Sequence, residues 1–288
     1  MISINWINYK KKIYYNYIKN NYPNIYLKLK KTENILSYLY KKYFFRKIIN
    51  KIEFKKFSQN CEDGVLNFLI NKIKIEKINS IEIGFDPLEN NLLYNTIVCR
   101  RGNLNIFVEL DKEKCELLKH LSNFFKKDFQ KNLKVINDKI TPENINKLIN
   151  SNFKKNEIDI LSLDVDGLDY YILKEINFFP KIMIIEYNKY FQTKPISILN
   201  DPKHHWQGRN DLYWGASITA ISSLMKKKGY FLAYMESSYV NAFFVRNEYK
   251  YLFNEVDCVK AIAKGTNIKF SYIKKSPSLK SKKFYHIQ

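Results

Sequence analysis

The sequence predicts an α/β fold: a doubly wound sheet of seven strands, mostly parallel with an antiparallel last strand, preceded by a helical N-terminal extension. Three observations predict it. From residue 58 onward, short apolar runs alternate with segments of helical periodicity, as successive strand–helix–strand units require. The first five apolar runs are nearly uninterrupted, the pattern of strands buried on both faces. The last two runs are separated by only a few residues, too few for a crossover helix, so they form an antiparallel hairpin.

Residues 1–57 read as a basic helical extension, in which apolar groups such as Ile13 and Tyr17, or Ile35 and Leu39, recur at helical spacing until Pro23 interrupts. Residues 58–250 form the main domain. Its strand candidates are 80–85, 105–110, 133–137, 158–164, 181–187, 230–235 and 241–246. Its helix candidates are 61–78, 89–99, 112–126, 142–152, 168–177 and 217–228. Lys226–Lys228 followed by Gly229 suits a helix C-terminus, because cations and a left-handed glycine both satisfy terminal carbonyls. Residues 251–288 make a basic C-terminal segment. The order of elements is Rossmann-like.

The net charge of +21 is concentrated at the two ends of the chain. Residues 1–57 hold 14 Lys/Arg against two acids, and residues 264–288 hold seven Lys and no acid. The remainder, with 28 basic and 26 acidic groups, is nearly neutral. A basic groove tracking nucleic acid across the domain is therefore not expected. The flanks suit an anionic membrane surface, although solvated tails from an AT-rich coding sequence are the plainer reading. The cysteines Cys61, Cys99, Cys115 and Cys258 include no CxxC pair, and reduced thiols in a cytoplasmic protein are expected. Lysines break the opening MISINWINYKKKIYY, so it is not expected to act as a secretory leader, and no window reaches 18 apolar residues.

In an open α/β sheet, ligands bind beyond the carboxyl ends of the strands. The first strand candidate leads into Glu82, Gly84 and Asp86, the second into Glu109 and Asp111, and the third into Asp138. The fourth, IDILSLDVDGLDYYIL, leads into Asp164, Asp166 and Asp169, and the fifth into Glu186 and Asn188. Every parallel strand thus sends a carboxylate to one rim. For Asp111 and Asp169 the simpler role, capping the following helix, is expected.

The pieces FSQNCEDGVLNFLI, IEIGF, LENN, FVELD, IDILSLDVDGLDYYIL, IMIIEYN, GASITAISSLMKKKGY and NAFFVR, in this order, resemble the S-adenosylmethionine-dependent methyltransferases of the FkbM type over about residues 57–247. The resemblance implies S-adenosylmethionine as cofactor. It implies that Gly84 faces the methionine part, with Glu82 and Asp86 in the same cofactor-binding set. Glu109 would hold the ribose, Asp138 would lie beside the adenine, and Asp164 would sit under the amino group. Asp166, Glu186 and Asn188 would line the methyl-transfer pocket, and Gln59 and Glu62 would close it. The family's glycine-rich turn retains only Gly84 here. Phe85 and Pro87 stand where further glycines are usual, which raises the steric question of whether the cavity stays open.

The long segment between 188 and 217 contains His204, His205, Trp206 and Trp214, which would suit a hydroxylated acceptor such as a saccharide or glycolipid. His205 is the candidate base for a hydroxyl proton, although a packed or exposed histidine is the commoner case. Three other chemistries use clustered aspartates. A haloacid-dehalogenase-like phosphohydrolase would employ Asp164 and Asp166 with Mg²⁺, but Leu168 replaces the expected Thr. A calcium loop needs its glycine two positions later. A Mg²⁺-dependent methyltransferase would use Asp164, Asp166, Glu186 and Asn188 as hard oxygen ligands. A non-catalytic binding module of the same fold is the non-enzymatic alternative.

Overall fold

The computed structural model describes residues 47–48, 51–122, 131–154, 157–204, 211–265, 279 and 282–287. Residues 1–46 and 49–50 of the expected helical extension over 1–57, the candidate base His205 and its neighbour Trp206 lie outside the described residues, as do residues 266–278, 280–281 and 288 of the basic C-terminal segment.

In chain order the elements are β1 (Lys47–Ile48), β2 (Phe54–Lys55), α1 (Glu62–Ile73), β3 (Ile78–Ile83), β4 (Gly102–Glu109), α2 (Lys112–Ser122), β5 (Leu133–Asn137), α3 (Ile145–Asn150) and β6 (Ile160–Leu163). There follow α4 (Asp169–Glu175), β7 (Ile182–Glu186), β8 (Ile196–Ile198), α5 (Ile218–Lys227), β9 (Tyr230–Met235), β10 (Asn241–Arg246), α6 (Cys258–Gly265) and β11 (Phe284–His286). Seven strands form one sheet in the order β5-β4-β3-β6-β7-β10-β9. The pairs β5–β4, β4–β3, β3–β6 and β6–β7 are parallel, and β10 is antiparallel to both β7 and β9. This is the predicted Rossmann-like sheet with its inserted last strand. The chain runs outward from β3 to β5, then returns to β6 and runs outward the other way, which leaves a crevice where β3 meets β6.

The strands alternate strictly between two cores. Ile81, Ile83, Ile106, Val108, Leu161, Leu163, Met183 and Ile185 face one side, where α3, α4 and α5 supply Ile145, Ile149, Ile172, Leu173 and Ile221. Ile78, Phe107, Ile160, Ile182 and Ile184 face the other, against Val65, Leu66, Leu69 and Ile70 of α1 and Leu118 of α2. Each fully buried Leu, Ile or Phe contributes about 1.5–3 kcal/mol, so the two faces together commit the period-two pattern to one register. β5 departs from the expected two-sided burial. It pairs with β4 alone at the sheet edge and is only half-covered.

The helix expected over 89–99 is reduced to a π-type turn at Tyr94–Val98. The preceding backbone is held by side chains instead: Asn90 Oδ1 accepts from Leu92 N at 2.9 Å and Leu93 N at 3.0 Å. Four short strands have no counterpart in the sequence reading. β1 pairs antiparallel with β2, so the described end of the stretch read as helical is a two-stranded ribbon instead. β11 pairs antiparallel with β8, and Ile287 N donates to Pro195 O at 2.8 Å. Three residues each are too few to show a periodicity. Just ahead of α1, Glu53 accepts from Tyr234 Oη at 3.0 Å and Ser237 Oγ at 2.5 Å, which ties residues before the domain to the β9–β10 hairpin. Among the described residues, no helix is long and apolar enough to cross a membrane.

Gly84 closes β3 with φ of +79°, and a Cβ there would sit 1.4 Å from the carbonyl oxygen of Asp164. The left-handed conformation costs an L-residue about 1–2 kcal/mol before any clash is counted. Gly84→Ala is therefore expected to destabilise the domain by more than about 2 kcal/mol. Urea denaturation would read this as a lowered midpoint, and a midpoint equal to wild type would refute the packing described.

Candidate functional site

The crevice at the carboxyl ends of β3, β4, β6 and β7 opens into a cavity of about 540 Å³. Of the twelve residues and alternatives singled out from the sequence, Gln59, Glu62, Glu82, Gly84, Asp86, Glu109, Asp138, Asp164, Asp166 and Glu186 line it. Phe85 and Pro87 do not. Phe85 is buried and stacks edge-on against Phe107 with centroids 5.7 Å apart, in the core beneath the sheet. The steric question raised by the degraded glycine turn is thereby answered, since the bulky side chain turns inward and the cavity stays open.

Many of the carboxylates are tied down by backbone amides. Glu82, buried within β3, accepts from Asn91 N at 3.1 Å and Leu92 N at 3.2 Å. Burial nevertheless pushes its carboxyl up to about 8. Asp86 accepts from Leu88 N at 2.8 Å, a tight turn that replaces the missing glycines. Glu109, half-buried at the end of β4, accepts from Asp111 N at 2.9 Å, and burial raises it too. The exposed Asp138 accepts from the next residue, Lys139 N, at 2.8 Å. Glu62 accepts from Asn60 N at 2.6 Å and from Asn241 Nδ2 at 2.8 Å. Its neighbour Asp63 turns away and gathers Lys56 N, Phe57 N and Ser58 N, so the Ser58–Gly64 motif divides into one acid for the cavity and one for the chain entry.

The helix-capping expectation is met at Asp111, whose Oδ1 accepts from Glu113 N at 2.8 Å. Asp169 acts differently. It is the first residue of α4, and its carboxylate reaches back to Val165 N at 2.9 Å and Gly167 N at 3.1 Å. It thereby shapes the loop that presents Asp166, whose φ is +54°. Asp164, Asp166 and Glu186 place oxygens within 4.8 Å of one another, a donor set that also fits a hard divalent ion. Burial and then the charge of Asp166 push Asp164 up to about 8, while burial followed by Asp164 holds Glu186 well above the ordinary carboxylate range. Burial and Asp169 push Asp166 up to about 6.

One expectation needs correction. Asn188 does not line the cavity or join the acid cluster. It is fully buried, its Oδ1 accepts from Tyr190 N at 2.9 Å, and its Nδ2 donates to Leu212 O and Trp214 O at 3.0 and 2.8 Å. An amide with two donors and an acceptor is what an irregular segment needs to satisfy buried backbone groups. Among the described residues, the histidine at the cavity is His204. A Cβ on Gly167 would lie 2.8 Å from its Cδ2, so glycine is what lets the imidazole close over the acid loop. Its ring packs edge-on against Tyr213 at 5.7 Å. Tyr213 Oη donates to Lys283 O at 2.6 Å and accepts from Leu199 N, so β11 props this wall of the cavity.

Sequence reasoning missed Leu110, Asn91, Lys114, Lys139, Ile140, Pro202 and Asn241, all of which line the cavity. Leu110 is 56% exposed, and it and Ile140 are apolar members of the lining. Asn241 was detectable as a polar residue opening an otherwise apolar strand. Lys114 and Lys139 had no signal among so many lysines.

No family model matches the chain, and no curated protein matches it. Among solved structures it is similar to a putative methylase from Haemophilus influenzae, with TM-score 0.41, 16% identity and coverage of 65% of this chain and 98% of that one. It is also similar to the methyltransferase domain of bacterial CtHen1-CN, with TM-score 0.39, 12% identity and coverage of 64% and 96%. A third is a SAM-dependent methyltransferase from Methanosarcina mazei, with TM-score 0.38, 10% identity and coverage of 62% and 94%.

Glu82, Asp164 and Glu186 hold protons in the folded cavity that an unfolded chain releases above about pH 4.5. Between that pH and about 8 the folded state binds more protons, so stability declines as pH rises. The melting temperature is expected to be lower at pH 8 than at pH 6, with a shallower slope in the double variant Asp164→Asn, Glu186→Gln. Equal slopes in thermal denaturation would remove the pair as the cause.

Proposed function

We propose that the protein is an S-adenosylmethionine-dependent methyltransferase of the FkbM type, acting in the cytoplasm on a hydroxyl of a saccharide or glycolipid. The observation that carries the reading is that the lining of one cavity at the β3–β6 crevice combines two chemistries. Glu109, with an acceptor oxygen to spare, and the apolar Leu110 and Ile140 suit a ribose and a flat base. The clustered Asp164, Asp166 and Glu186 suit positive charge. A volume of about 540 Å³ accommodates a nucleoside-bearing cofactor, and the donor set fits it.

The cofactor supplies a methyl group on a positively charged sulfur. The protein's part is to position and to move a proton. Asp166 stands in the cavity with its carboxyl raised to about 6, so near neutral pH it is ionised and basic enough to take a hydroxyl proton as the methyl–oxygen bond forms. His205 is the second candidate for that role. His204 and Pro202 wall the acceptor side, and Lys139 Nζ pins the wall by donating to Pro202 O at 2.9 Å. Most of the rate would come from alignment.

A phosphohydrolase is disfavoured by charge, because among the described residues Lys114 and Lys139 are the cavity's only cations besides His204, against nine carboxylates. A divalent ion such as Mg²⁺ at Asp164, Asp166 and Glu186 remains the second occupant for which the donor set speaks. A purely binding role is the alternative if no methyl transfer occurs. The basic flanks at 1–57 and 264–288 are proposed to meet an anionic membrane surface, each lysine contributing on the order of 1 kcal/mol.

Glu109→Ala should weaken S-adenosylmethionine binding at least tenfold by titration calorimetry, and unchanged affinity would remove Glu109 from the ribose role. Sedimentation with phosphatidylserine vesicles should retain the full chain and lose it in 0.5 M salt, roughly where screening falls below 5 Å. Equal binding to neutral vesicles would discount the flanks.

A further inference from the structure

The nine carboxylates of the cavity are not equivalent. Glu62, Glu82, Asp86, Glu109 and Asp138 each accept at least one hydrogen bond from the protein. Glu89 lies 3.8 Å from Lys55 Nζ. Three remain. Asp164 and Glu186 share a hydrogen bond between their carboxyls, and neither they nor Asp166 takes one from any N–H among the described residues. Oε2 of Glu186 is shut away from solvent with no donor at all. A buried acceptor without a donor is costly, on the order of 1–3 kcal/mol. The protein tolerates this at Glu186, beside Asp164 and the more exposed Asp166, whose loop Asp169 shapes.

We infer that Asp164, Asp166 and Glu186 form a cation subsite that discriminates by charge, gripping the cofactor while its sulfur carries the methyl group and releasing it once the sulfur is an uncharged thioether. The inference rests on the cofactor reading above and deepens it. The surroundings reinforce the selectivity. Asp169 lies behind the cluster, Glu82 and Glu62 approach from β3 and α1, and Lys114 of α2 is the facing cation, with His204 on the remaining wall.

The test uses the full chain, treated with EDTA and titrated calorimetrically with S-adenosylmethionine, S-adenosylhomocysteine and sinefungin, which keeps a positive charge near the sulfur position. At pH 8 the two charged compounds are expected to bind at least tenfold tighter than S-adenosylhomocysteine. The ratio should shrink at least threefold in Asp166→Asn, a substitution that the left-handed backbone accepts readily, and likewise in Glu186→Gln. The second variant keeps the inference testable if the first fails to fold. Equal affinities for all three compounds at pH 8, or tighter binding of the neutral one, would overturn it while leaving the cofactor reading intact. A preference that appears only when Mg²⁺ is restored would assign the cluster to a metal ion and also overturn it. Failure of every compound to bind would remove the cofactor reading and this inference together.

Discussion

The close approach of β3 and β6 at their carboxyl ends is the constraint on which the site depends. Asp164 N donates to Ile83 O at 3.0 Å and Gly84 N to Val108 O at 2.9 Å, so the ends of three neighbouring strands meet at one point. Gly84 is the residue that permits this, because any side chain there would collide with the Asp164 carbonyl. With that contact made, Glu82, Glu109 and Asp164 are delivered to one rim by the sheet's own register: Glu82 pairs with Phe107 and Ser162, and Glu109 with Asn137. The loss of the other turn glycines is absorbed locally. Phe85 takes a place in the core, and the Asp86 carboxylate holds the backbone that a glycine would otherwise have let turn freely.

The acids at this rim illustrate how a folded chain separates structural from chemical use of one residue type. An acid whose oxygens meet backbone amides at 2.6–3.3 Å is consumed by local architecture, as at Asp63, Asp86, Asp111 and Asp169. The cluster of Asp164, Asp166 and Glu186 is different: its acids face one another, and Glu186 Oε2 is buried without a donor. Asp169 connects the two groups, since its bonds to Val165 N and Gly167 N set the loop that turns Asp166 into the cavity.

The wall of the cavity that carries His204 is assembled from segments distant in sequence. β8 receives β11 near the end of the chain, Phe284 packs edge-on against Phe191 and Tyr213 at 5.3 and 5.4 Å, and Tyr213 in turn supports His204. Asn188 fastens the far side of the same segment to Leu212 and Trp214. A part of the basic C-terminal segment is thus built into the cavity wall.

The sequence by itself determined the sheet, its hairpin insertion and the convergence of acids on one rim. Apolar runs of period two buried on both faces, and a hairpin too short for a crossover, admit little else. It also carried the split between Asp111 and the cavity acids, because an acid one residue ahead of a helix is a local signal. Only the tertiary structure decided which way Phe85 turns, that Asn188 serves the loop, that His204 closes over Gly167, and that β8 finds β11. Each of these depends on contacts between residues far apart in the chain, or on a side-chain direction that no periodicity encodes. The same reason explains the raised carboxyls of Asp164 and Glu186: their state is set by distance to each other and by exclusion of water, and neither quantity exists until the strands have been placed side by side.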